Sequence, residues 1–72
     1  MKREAAEEIC ALLLRHGQEL DASVARVLQV EGETEDYRRY RGCVGRLMGD
    51  MLLEVLNPLF AEYPDLKPPQ LK

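Results

Sequence analysis

One histidine, two cysteines and a cluster of arginines are the side chains with which this chain could do chemistry. His16 has no second histidine, and no cysteine at ligand spacing, so a four-ligand zinc site cannot be assembled around it. Leu13 rather than a glutamate stands three residues before His16, so the carboxylate–histidine pair of a helical di-iron site is missing too. The expectation is a partly buried, hydrogen-bonded histidine. Cys10 and Cys43 lie beside apolar neighbours and read as core thiols. Glu7, Glu8, Glu31, Glu33 and Glu35 fall near ends or loops, away from the enclosed pocket that acid–base catalysis needs to shift a carboxyl pKa. No enzyme, metal, cofactor or small-molecule substrate is expected.

The arginines are the remaining chemistry. Tyr37-Arg38-Arg39-Tyr40-Arg41, with Arg46 further on, interleaves cations with aromatic rings, a composition that can contact phosphates and stack on bases. The whole chain is acidic, with a formal charge of -3, and exerts no general attraction on nucleic acid. The charge is uneven. Residues 1–36 hold four Lys/Arg against nine Asp/Glu, a balance of -5, which leaves +2 for residues 37–72. Glu35 and Arg39 form an i,i+4 pair, and Asp36 adds a second acid, so a solvated, self-neutralised face is the favoured reading. An acidic protein partner at Arg38, Arg39, Arg41 and Arg46 comes ahead of nucleic acid.

Beside the arginines runs a feature that costs stability. Gly42, Gly45 and Gly49 are spaced three and four apart, on one face of a helix, and each interior glycine costs roughly 1 kcal/mol relative to alanine. Close packing is the expected reason, either within the fold or across a dimer. No strand precedes the glycines and no GK[ST] follows, so a phosphate cradle is not indicated.

These groups must be positioned by helices. Ile9, Leu13, Gly17, Leu20, Val24 and Val27 recur at steps of three and four, predicting a helix from about Lys2 to Val30. Gly32 should end it and Thr34 should cap a second helix, with Glu35 and Asp36 in its first turn. Tyr37, Tyr40, Val44, Leu47, Met51 and Val55 form one apolar series there, and Met48, Leu52, Leu56 and Leu59 an adjoining one. Such a helix is expected to be buried from two sides. Asn57-Pro58 predicts a kink, or a fresh start capped by Asn57. Residues 64–72, with three prolines, read as an extended tail that can lie on the helices through Leu66.

The short loop makes the helices antiparallel. Facing residues then have numbers summing to about 65, which sets Gly49 level with His16 and Gly17, Gly45 with Leu20, and Gly42 with Ser23. Glu19 is expected beside Arg46, and Arg15 or His16 beside Asp50. The same ruler holds Cys10 and Cys43 about 18 Å apart at 1.5 Å per residue, too far for an intrachain disulfide.

One other arrangement fits part of the chain. Leu12 to Leu28 superficially resembles the first two helices of a helix-turn-helix domain, with Gly17 ending the first and Asp21 capping the second. That resemblance implies an arginine-rich recognition helix from Glu35 and DNA as partner. Against it, the apolar register runs unbroken through Gly17 from Leu13 to Leu20.

Size completes the picture. A 72-residue chain with neither a disulfide framework nor a metal has self-association left as its remedy for a small core. No run approaches the roughly 18 to 20 apolar residues of a membrane span, and the N-terminus turns acidic before any apolar run, unlike a secretory signal. The expected fold is all-α: a helical hairpin over residues 1–63 with a kinked second helix and an extended tail over 64–72, dimerising into a four-helix bundle. Leu13, Gly17, Leu20, Val24, Gly42, Gly45, Met48, Gly49, Leu52 and Leu59 are the expected packing and dimer positions. The expected role is a cytoplasmic, non-enzymatic interaction module such as a scaffold, adaptor or regulatory subunit. A nucleic-acid-binding regulator using Arg38 to Arg46 is the alternative.

Overall fold

The computed structural model describes residues 1–69. Its first helix, α1, spans Arg3–Glu31, with Glu4 in the first turn where a negative charge complements the helix dipole. It ends at Gly32, whose φ of 72° lies in the left-handed region and whose N–H donates to the Leu28 carbonyl at 2.8 Å. Helix α1 passes without a break through Gly17 and Asp21, which removes the helix-turn-helix arrangement. A turn at Gly17 would have cost the apolar stripe its continuity.

The second helix, α2, spans Glu35–Asp50. Thr34 is extended, and its Oγ1 accepts from the Tyr37 N–H at 3.2 Å, satisfying one of the orphan donors of the first turn. The chain then continues through a π turn, Met51–Leu56, into α3, Asn57–Glu62. Asn57 keeps helical angles and caps nothing; its N–H donates to the Leu52 carbonyl, five residues back. The disruption announced by Pro58 is thus a widened turn placed just before it. A proline ring in a regular helix would collide with the carbonyl four residues earlier, here that of Glu54. π turns are a recognised way for a helix to absorb such a misfit.

The helices are antiparallel neighbours, and the expected ruler holds. A Cβ on Gly17 would lie 3.8 Å from Met48 Cε, and Ser23 Oγ is 2.7 Å from Tyr40 Oη. The core gathers at the end away from the loop, where Ala6 and Cys10 meet Leu56, Leu59 and Phe60, with Leu13, Leu14 and Val55 packed around them. Tyr37 and Val44 are buried nearer the loop.

Within the single hairpin the second helix has one helical partner, α1, which leaves Leu47 49% and Leu53 66% exposed; burial from a second side, expected inside a bundle, needs a further partner. Two expectations about burial need correction. Cys43 is exposed rather than part of the core. His16 is exposed too, and hydrogen-bonds to no described residue, since its position turns away from the stripe carrying Leu13 and Gly17.

The tail folds back instead of running extended. Pro64–Leu66 forms a 3-10 turn, and Leu66 packs on the core cluster. Both ends of the hairpin are clasped there: Tyr63 Oη donates to the Met1 carbonyl at 2.6 Å, and the Arg3 guanidinium is paired with the Asp65 carboxylate. That hydrogen bond holds Asp65 below its ordinary carboxylate range. Residues 70–72 of the expected tail lie outside the described residues.

Candidate functional site

Helical spacing places Arg38, Arg39, Arg46 and the three glycines of α2 off the face that buries Tyr37 and Val44, whereas Arg41, four residues after Tyr37, borders that face. The arginines are largely engaged within the chain. Arg38 Nη1 donates to the Glu33 carbonyl at 2.8 Å, which ties the helix start to the loop. Arg39 pairs with Glu35 at 3.5 Å, as its spacing predicts, and with Asp36 at 3.7 Å. Arg41 lies over the Tyr37 ring, 5.4 Å from its centroid, a cation–π contact. Arg46 folds back over its own helix, with Nη1 3.6 Å from where a Gly42 Cβ would stand. The expected pairs Glu19–Arg46 and Asp50 with Arg15 or His16 are not among the ion pairs of the described residues. Arg38, Arg39 and Arg41 thus each hold a different local contact within the chain.

The glycine stripe is not packed against α1. A Cβ added at Gly45 or Gly49 would meet nothing within 4 Å, and one at Gly42 would meet only Arg46. The facing-residue ruler matches them with His16, Leu20 and Ser23 in height, but the stripe is rotated out of the interface. Gly17 alone is buried in the interhelical contact, beside the Met48 and Met51 methyl groups.

What the fold does build is an open apolar groove of about 610 Å³ along one side of the hairpin. Helix α1 contributes Leu13, Leu14 and Gly17 to it; α2 and the π turn contribute Met48, Gly49, Met51, Leu52 and Leu56; Gln18 and Asp21 stand on it as polar groups. Pro68 of the folded-back tail lines it as well. Five of the expected packing positions, Leu13, Gly17, Met48, Gly49 and Leu52, therefore come together here. Leu59 belongs to the core, and Leu20 and Val24 are half-buried nearer the loop.

Pro68 was not singled out by sequence. Met51, a member of the apolar series expected in the second helix, stands three residues after Met48, a spacing that suits a flexible thioether pair. The groove holds no nucleophile with an adjacent base. Among the described residues no group of three or more His, Cys, Asp or Glu side chains is placed to hold a metal ion. Buried Cys10 lies in the core with its thiol pKa pushed up by desolvation, away from reactive thiolate character. No described helix is long and apolar enough to cross a membrane.

Comparison with protein-family models, with curated proteins and with solved structures returns no match to this chain.

Proposed function

We propose that the protein is a non-enzymatic helical interaction module that works as a homodimer, its two hairpins forming a four-helix bundle in the cytoplasm. The observation that carries this reading is surface area. The chain exposes 5353 Å² at a mass of 8.2 kDa, whereas a folded monomer of that mass is expected to expose about 4,500 Å². The excess, about 800 Å², matches one partner's share of a standard-size protein interface. The exposed Leu47 and Leu53, and Leu52 at 39%, say where apolar surface is in surplus.

A scaffold, adaptor or regulatory subunit is the role such a bundle supports, and two cysteines without a disulfide partner suit a reducing compartment. Nucleic acid has less support, because Arg38, Arg39 and Arg41 already have partners within the chain. Sedimentation equilibrium at micromolar concentration is the test. A mass of twice 8.2 kDa is expected; a single-chain mass up to the highest soluble concentration overturns the proposal.

A further inference from the structure

The groove, the exposed leucines beside it and the surplus area fit one another when a second copy is brought up. The groove lies open at Gly49, where an added Cβ would meet nothing within 4 Å. One turn further along the same helix, Leu53 projects into solvent at 66% exposure, next to Leu52 on the groove wall.

We propose that the groove of each copy is filled by Leu53 of the second copy, which crosses over Gly49, with the paired second helices running antiparallel. The proposal rests on the homodimer reading above and adds the surface and orientation. Gly49 and Leu53 are four residues apart and share a helix face. A two-fold axis passing between them places Leu53 of each copy at Gly49 of the other, so both contacts form at once, as an isologous interface requires. A parallel pair would instead set leucine against leucine and glycine against glycine, leaving the groove unfilled. Met48 and Met51 line the groove with flexible thioethers that can re-pack around an incoming side chain. The second copy is the occupant favoured because the area one chain leaves over, about 800 Å², is what a stable two-fold interface takes from each partner.

The test compares the full chain with Gly49→Leu, Leu53→Lys and Val30→Lys by sedimentation equilibrium, with circular dichroism to follow helix content. Gly49→Leu places a side chain at the groove mouth from a position where the Cβ itself meets nothing within 4 Å, and Leu53→Lys charges a side chain the single hairpin leaves exposed, so both should keep their helix content. Each should weaken dimerisation about tenfold or more. Val30→Lys, equally exposed at the opposite end of α1, should dimerise as the parent does.

A parent chain that is monomeric overturns both this proposal and the homodimer reading. A dimeric parent undisturbed by Gly49→Leu or by Leu53→Lys, or weakened as much by Val30→Lys, overturns the proposed surface and leaves the homodimer standing. A monomeric parent that binds the apolar dye 1-anilinonaphthalene-8-sulfonate, with binding lost in Gly49→Leu, assigns the groove to a foreign apolar ligand instead.

Discussion

Ser23 and Tyr40 tie the two long helices together through their hydroxyls, 2.7 Å apart. Ser23 has one proton, and its Oγ stands 2.6 Å from the Leu20 carbonyl, which can only accept. Tyr40 is therefore the donor to Ser23. Tyr40→Phe removes that link without changing ring packing, and should lower stability by about 0.5 to 1.5 kcal/mol. The readout is the urea midpoint at unchanged slope. An unmoved midpoint would mean that the pair adds nothing to holding the register.

Glycine substitutions should move stability in opposite directions. Gly45 sits inside α2 with open space around it, so Gly45→Ala should stabilise the hairpin by up to about 1 kcal/mol. Gly32 has a φ of 72° with a ψ of -164°, a region essentially confined to glycine, so Gly32→Ala should destabilise it by about 1 to 3 kcal/mol. Thermal unfolding of the two variants beside the parent checks both signs. A destabilising Gly45→Ala would reveal a close neighbour at a backbone that is free in the single chain.

The two thiols should react at very different rates. Cys43 is exposed, while Cys10 is 3% exposed and desolvated. A thiol-specific reagent should modify one site in the native chain and a second only after denaturant is added. Equal native rates at both positions would show that the core end opens readily.

Acid should loosen the clasp between the chain ends. The Asp65 carboxyl is held below its ordinary value of 3.8 by the hydrogen bond from Arg3, so the pair contributes stability above that value. The contribution fades as pH falls through the depressed value. The difference in urea midpoint between the parent and Asp65→Asn should stay constant from about pH 7 to 5 and shrink as the pH drops below about 4. A difference independent of pH over that range would show that the carboxylate charge is not what closes the clasp. Because both side chains face solvent, added salt should reduce the same difference.

Which parts of this architecture were legible in the chain follows from what each signal measures. Gly32 and Thr34 mark the loop because their backbone and capping roles are local, and the loop alone sets the antiparallel register that brings Gly17 to Met48. The glycine stripe misled for a physical reason. Spacing says that Gly42, Gly45 and Gly49 share a face, but not which face looks inward when apolar residues flank it on both sides. Leu47 and Leu53 carry the same ambiguity: their periodicity asks for a partner that one hairpin does not contain. Among the groove residues, Leu13, Gly17, Met48, Gly49 and Leu52 were visible as periodic positions. Pro68 was not, because its place depends on the tail turning back through Pro64–Leu66. Cys43 and His16 were read from their sequence neighbours, which do not report rotation about the helix axis.

The π turn also gives the second helical arm a length tolerance. Twelve residues separate buried Val44 from buried Leu56, whereas three regular turns take about eleven. One residue is surplus, and Met51–Leu56 is where the chain stores it. A chain shortened by one residue between Met51 and Val55, with Pro58 replaced by alanine, would reach Leu56, Leu59 and Phe60 in the same rotational phase through an unbroken α-helix. The core end of the hairpin is thus insulated from a one-residue change of length at this point, a change that anywhere else in the arm would swing every following side chain about 100° around the helix.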